Sequence, residues 1–172
     1  MINTIGHLWR VQDVFWGAGS SAGALLGVPY YGKRQEPTDF RDQVGIYVLY
    51  ADFDLVYVGQ TGVGNQRLLA RLKQHRDDGL ARRWNQFSWF GFRWVRKTGG
   101  LSTVAQASHP SLPQMLNHLE AILVDTVEPP LNRQGGRFGA DTWWYRQVRD
   151  PRLGPTADKM ITDLWKARLP AK

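Results

Sequence analysis

The sequence predicts a small α/β domain of the α+β kind, in which a mainly antiparallel three-stranded sheet is flanked by helices. Two β-branched and aromatic runs, residues 44–50 and 55–59, are separated by a short bridge, as in a β-hairpin. A third run, residues 87–95, alternates its large side chains between two sides and supplies the third strand. An N-terminal arm and a C-terminal helical tail complete the expected fold.

The hairpin brings together two tyrosines, Tyr47 and Tyr57. Side chains alternate along a strand, so the two rings share a face only if paired residues have numbers with an even sum. That condition requires an odd-length loop, such as residues 52–54, or a β-bulge. A regular loop of two or four residues would place the tyrosines on opposite faces.

Helical patterns follow the second and third strands. Residues 66–77 carry leucines at helical spacing, and Arg67, Arg71 and His75 recur every fourth residue, which places them on one helix face. Ser111 and Gln114 stand at capping-box spacing before a second, apolar helix, which the prolines at 129 and 130 end. Residues 156–167 are predicted to form a short terminal helix.

The charge balance points to a polyanionic partner. The 172 residues contain 22 Lys and Arg against 15 Asp and Glu, a net charge of +7 with a pI near 10.0. Residues 41–100 hold ten of the basic and five of the acidic side chains. Nucleic acid is the leading partner, and an anionic membrane surface is the second.

Composition also limits the compartment and the metal chemistry. The absence of cysteine excludes disulfides and thiolate zinc sites. The apolar stretch at residues 14–32 is diluted by small residues, lacks the basic start of a signal peptide, and is too weakly hydrophobic for a membrane span. We therefore expect an intracellular, cytoplasmic protein. A membrane partner is not expected, because no basic amphipathic helix with a broad apolar face is evident in the sequence.

The motif residues resemble those of the GIY-YIG nuclease family. Gly45-Ile46-Tyr47 and Tyr57-Val58-Gly59 correspond to the two name-giving motifs, with valine in place of the second isoleucine. The family pattern continues with a helical arginine, a histidine four residues later, a glutamate on a later helix and an asparagine beyond it. The resemblance spans residues 45–136 and is matched here by Tyr47, Tyr57, Arg71, His75, Glu120 and Asn132.

The position of the catalytic arginine departs from the family pattern. Arg67 has the tighter spacing from Gly59, whereas Arg71 reproduces the arginine-to-histidine stretch. We favour Arg71 and interpret residues 63–65 as an inserted turn. Arg67 then becomes a phosphate contact.

The resemblance implies a metal-dependent endonuclease that leaves 5′-phosphate and 3′-hydroxyl ends. Tyr57 would assist deprotonation of the attacking water, Tyr47 would position it, and Arg71 would neutralise the phosphate. Glu120 would hold a single Mg²⁺ or Mn²⁺ near the leaving oxygen. DNA is favoured over RNA, and the protein is expected to be a monomer or homodimer. The basic side chains expected to contact nucleic acid are Arg67, Lys73, Arg96, Lys97, Arg133 and Arg137.

The expected organisation has three parts. Residues 1–43 form an arm that packs on the core or contacts substrate, residues 44–137 form the nuclease-like domain, and residues 138–172 form an aromatic segment and helix of the same globular unit. The alternative function is a nucleic-acid-binding module that keeps the fold without turnover. Its aromatic side chains would stack on unpaired bases, among them Trp84, Trp89, Trp94, Trp143 and Trp144.

Overall fold

The computed structural model describes residues 1–32, 36–62, 64, 66–103 and 110–168. The predicted turn at Val63 and Asn65 therefore lies outside the described residues. The helices are α1 (Leu68–Asp77), α2 (Leu112–Val127) and α3 (Ala157–Arg168). The strands are β1 (Thr4–Arg10), β2 (Phe15–Ala18), β3 (Ser21–Ala24), β4 (Leu26–Pro29), β5 (Thr38–Asp39), β6 (Gly45–Ala51), β7 (Asp54–Gln60), β8 (Gln86–Gly91) and β9 (Trp143–Gln147).

Seven of these strands form one mixed sheet in the order β5-β4-β9-β1-β8-β6-β7. β1 runs parallel to β9, and the other neighbouring strands are antiparallel. A separate hairpin consists of β2 and β3. The predicted three-stranded sheet is therefore wrong, because its strands β7, β6 and β8 are only one end of a larger sheet.

The N-terminal segment is the main reason for this difference. β1, expected to belong to an arm, lies between β8 and β9 inside the sheet. Its Ile5 and Trp9 are almost completely buried. Strand pairing between residues more than 75 positions apart is a tertiary interaction, and the short β1 sequence pattern does not predict it. The segment predicted as an arm is thus part of the core.

The β6–β7 hairpin contains the bulge that the shared face requires. Its two-residue turn, Asp52 and Phe53, has positive φ at both positions, as in a type I′ turn. A register shift follows, after which Leu49 pairs with Tyr57 and Tyr47 with Gly59. Tyr47 and Tyr57 consequently lie on the same face of the sheet.

The two faces of the sheet carry different helices. Tyr47 and Leu49 of β6 belong to one buried cluster, together with the leucines of α1. Val48 and Tyr50, which point the other way, belong to a second cluster together with Ala121 and Ile122 of α2. We call these the α1 face and the α2 face.

The predicted boundaries of the helices are close to those observed. Ser111 and Gln114 form the expected capping box at the start of α2, and Glu128 ends the helix in a left-handed conformation before the prolines. α3 exposes its apolar residues Met160, Ile161, Leu164 and Trp165. Among the described residues, no helix has both the length and the apolar character needed to cross a bilayer.

Candidate active site

A chain of three hydrogen-bonded side chains lies on the α1 face. Tyr47 Oη is 2.7 Å from His75 Nε2, and His75 Nδ1 is 2.7 Å from Asp78 Oδ2. Tyr47 comes from β6, His75 from the last turn of α1, and Asp78 is the residue that caps α1. Tyr47 and His75 are buried, whereas the Asp78 side chain is 36% exposed. This series of hydrogen-bonded side chains therefore runs from the interior of the protein to its surface.

The chemistry of the carboxylate fixes the direction of these hydrogen bonds. An ionised Asp78 can only accept, so His75 Nδ1 carries a proton, and in the neutral imidazole Nε2 then accepts the Tyr47 hydroxyl hydrogen. The pKa of Asp78 is lowered first by the Leu80 backbone N–H and further by His75 and Arg71. Asp78 thus remains ionised and holds the imidazole in one tautomer.

Burial raises the pKa of the Tyr47 hydroxyl, and the nearby Tyr57 adds to the rise. The Arg71 guanidinium opposes both effects by lowering the same pKa. Because burial is the larger effect, Tyr47 stays protonated at neutral pH and serves as the hydrogen-bond donor to His75.

Tyr57 and Arg71 occupy the outer part of this cluster. The Tyr57 ring lies 4.7 Å from the His75 ring and 6.1 Å from the Tyr47 ring, and it is half-buried. Arg71 donates through Nη1 to Gln74 Oε1 at 2.6 Å, while its buried Nε has no hydrogen-bond partner among the described residues. These two side chains can therefore meet a substrate that the fully buried Tyr47 cannot touch.

Gly59 makes room for Tyr47. A Cβ on Gly59 would lie 2.3 Å from Tyr47 Oη and 2.4 Å from Cζ, far inside van der Waals contact. Gly45 has φ +150, and a Cβ there would lie 2.0 Å from the Phe90 carbonyl oxygen. Close packing therefore favours glycine at both motif positions, independently of any chemistry at the site.

The structure separates Glu120 and Asn132 from the tyrosines. Glu120 lies on α2, and it lines a cavity of about 700 Å³ together with Asn117, Asn132, Arg133 and Arg137. α2 packs on the opposite face of the sheet from Tyr47 and α1. The six predicted site residues therefore form two groups, with Tyr47, Tyr57, Arg71 and His75 on one face and Glu120 and Asn132 on the other.

The predicted single-ion site does not fit this arrangement. A catalytic Mg²⁺ must lie beside the reacting phosphate, usually on one or two carboxylates. Glu120 offers one carboxylate across the sheet from Arg71, in a cavity that also contains Arg133 and Arg137. Within the described residues, no group of three or more His, Asp or Glu side chains is arranged to hold a metal ion.

The predicted nucleic-acid contacts are likewise divided. Arg67 is the N-cap residue of α1, and Lys73 Nζ lies beside Gly17 of the β2–β3 hairpin. Arg96 and Lys97 line a cavity of about 490 Å³. Arg133 and Arg137 stay with Glu120 on the α2 face, where Arg137 donates to Gln134. Arg71, and not Arg67, is the arginine beside Tyr47.

Asp78 is the site residue that sequence reasoning missed. The spacing of His75 and Asp78 could have predicted the contact, because an aspartate three residues after a histidine at a helix end can accept a hydrogen bond from the ring. The sequence also did not predict that Tyr31, Trp94 and Trp143 lie beside Arg96 and Lys97, because these aromatic residues come from three separate segments.

Comparison with known proteins gives no relative: no family model, no curated protein and no solved structure matches this chain. The resemblance to GIY-YIG nucleases accordingly stays a prediction from the motif residues.

Proposed function

We propose that this protein is a nuclease that hydrolyses phosphodiester bonds in nucleic acid, with DNA as the favoured substrate and 5′-phosphate and 3′-hydroxyl ends as products. The observation that carries the proposal is the meeting of Tyr47, Tyr57, Arg71 and His75 in one cluster on the α1 face. These four residues come from three elements and match the family pattern in type and order.

The roles follow from accessibility. The partly exposed Arg71 guanidinium supplies donors for the phosphate and neutralises charge as it grows on the phosphoryl oxygens. Tyr57, half-exposed against the His75 ring, orients the attacking water through its hydroxyl. Tyr47 and Asp78 act as positioning residues because they hold His75 from both ring nitrogens.

Glu120 has no part in this proposal. Mg²⁺ or Mn²⁺ bound at Glu120 would lie across the sheet from Arg71, so no step of the reaction is assigned to it.

A cleavage assay tests the function. Purified protein would be incubated with plasmid, linear duplex, single-stranded DNA and RNA in the presence of magnesium, manganese or EDTA. Cleavage by wild type that is lost in Arg71→Ala and kept in the exposed control Arg83→Ala supports the proposal. Equal cleavage by wild type and Arg71→Ala contradicts it and indicates a contaminating nuclease.

A binding module without turnover is the second candidate, and the separation of Glu120 and Asn132 from the tyrosines favours it. A nuclease that needs the carboxylate beside the tyrosines would be inactive in this arrangement. Binding to nucleic acid with no cleavage in any metal would establish the binding module in place of the nuclease.

A further inference from the structure

A cavity of about 490 Å³ lies at the edge of the α1 face and combines aromatic with basic side chains. Its aromatic members Tyr31, Trp94 and Trp143 are exposed by 78%, 36% and 50%. Arg96 and Lys97 line the same cavity, where Asp141 contributes one opposing carboxylate. Large aromatic side chains are ordinarily buried in the core, so a group of exposed rings beside basic side chains indicates a binding surface.

We propose that this aromatic cavity holds an unpaired base of a single-stranded nucleic acid, and that single-stranded nucleic acid is therefore the substrate class of the site at Arg71. Aromatic rings hold single strands by stacking on the base, while arginine and lysine hold the neighbouring phosphates. The inference deepens the proposed function and depends on it for the identity of the polymer.

The aromatic cavity and the Tyr47 cluster lie on the same face of the sheet. Tyr47 pairs with Trp89, Trp89 with Gly6, and Gly6 with Tyr145, so these four residues form one row across β6, β8, β1 and β9. Tyr145 lines the aromatic cavity. Three strand spacings separate Tyr47 from Tyr145, a distance on the order of 15 Å. A strand several nucleotides long can span this distance.

Arginines fill the interval between the two sites. The Arg93 guanidinium donates to the backbone carbonyls of Asp42 and Ser102. Burial is the main cause that lowers the pKa of Arg93, the Asp42 carboxylate opposes it, and Arg67 and Arg96 lie near enough to lower the same pKa further. Arg67 precedes the helix that carries Arg71. Positive charge therefore extends from the aromatic cavity through Arg96, Arg93 and Arg67 toward Arg71, as a phosphate backbone would require.

The loop that carries Arg96 and Lys97 is held in place by the fold. The Ser102 backbone N–H donates to the Trp94 carbonyl, the Trp94 N–H donates to Ser102 Oγ, and Val95 pairs with Leu101 in an antiparallel bridge. The Arg96 backbone N–H donates to the Gly100 carbonyl at 2.8 Å. The basic tip is therefore positioned before any ligand arrives, which lowers the entropic cost of binding.

Duplex DNA cannot use the aromatic cavity. Its bases already stack on one another, and they become available to protein rings only after the strand is unpaired. An extended phosphate track without aromatic contacts would serve a duplex equally well. The three exposed rings beside the basic tip are what select the single strand.

The test measures binding of a fluorescein-labelled single-stranded oligonucleotide and of the matching duplex by fluorescence anisotropy, in EDTA and at one fixed salt concentration. Trp143→Ala should weaken single-strand binding roughly tenfold and leave duplex binding unchanged, because one stacked base is lost. Trp143→Phe should retain most of the affinity. Trp165→Ala removes a still more exposed tryptophan from α3 and serves as the control.

Trp94→Ala provides a second route if Trp143→Ala fails to fold, as judged by circular dichroism. Unchanged single-strand affinity in the folded variant, or an equal loss for duplex, would overturn the inference. The proposed function fails separately: binding that depends on Trp143 without cleavage rejects the nuclease and keeps the aromatic cavity. Cleavage that depends on Arg71 but not on Trp143 or Trp94 supports the nuclease and rejects the aromatic cavity as a binding site for the substrate.

Discussion

Tyr47 Oη, fully buried in the sheet, lies 2.7 Å from His75 Nε2 in the last turn of the helix that packs over it. This hydrogen bond joins strand and helix in the interior. From the surface, Asp78 forms a second hydrogen bond to Nδ1 of the same ring. Both ring nitrogens of His75 are thereby satisfied, which fixes the imidazole against the Tyr57 ring.

Tyr47→Phe should lower the free energy of unfolding by about 1–3 kcal/mol, because His75 Nε2 would remain buried without its donor. Urea denaturation at neutral pH measures the change. Tyr30→Phe, which removes a hydroxyl from an exposed tyrosine, is the control and should change stability by less than about 0.5 kcal/mol. Equal stability of the two variants would show that the Tyr47–His75 bond adds nothing.

Asp78→Asn should slow cleavage by roughly 10² while leaving single-strand binding within about twofold, because the neutral amide no longer holds His75 in one tautomer. Asp77→Asn, one residue earlier and exposed, is the matched control and should cleave like wild type. Single-turnover rates and anisotropy would be measured in parallel. Identical rates in the two variants would remove Asp78 from the site.

Gly59→Ala should destabilise the protein by about 1–3 kcal/mol, since the added Cβ overlaps the Tyr47 ring and must displace it. Gly135→Ala is the control, because a Cβ at Gly135 has no neighbour within 4 Å among the described residues. Thermal unfolding followed by circular dichroism compares the two. A wild-type melting temperature for Gly59→Ala would show that the sheet adjusts freely beneath Tyr47.

Glu120→Gln should leave the rate of cleavage within about twofold of wild type, because α2 places Glu120 across the sheet from Arg71 and Tyr57. The rate would be measured at several magnesium and manganese concentrations. Loss of cleavage with an unchanged fold would mean that Glu120 reaches the reacting phosphate in the active form. That result would restore the single-ion site predicted from the resemblance.

Alkaline pH should destabilise the fold through Tyr47 and Tyr50, whose pKa values burial raises. In the unfolded chain the two phenols ionise near pH 10, and in the folded chain they ionise at higher pH. Their contribution to stability is therefore complete below about pH 10 and is lost as pH rises through the folded-state pKa values. Tyr50→Phe should flatten the fall of unfolding free energy above pH 10, and an unchanged slope would contradict this.

The sequence by itself determined the local elements of this protein. The alternating runs defined β6, β7 and β8, the capping box and the two prolines bounded α2, and the spacing of Arg71 and His75 placed them on one side of α1. Each of these features depends on residues close together in the chain, where periodicity, caps and turns act directly. The convergence of Tyr47, Tyr57, Arg71 and His75 followed from those local features and one bulge.

Only the tertiary structure decided which elements meet. β1 enters the centre of the sheet through partners more than 75 residues away, and α2 packs on Val48 and Tyr50 instead of on the α1 face. An amphipathic helix pattern records which side of the helix is apolar but not which face of a sheet that side will cover. The choice of face therefore separated Glu120 from Arg71, and the pairing of β1 with β9 brought Trp143 to the same face as Tyr47.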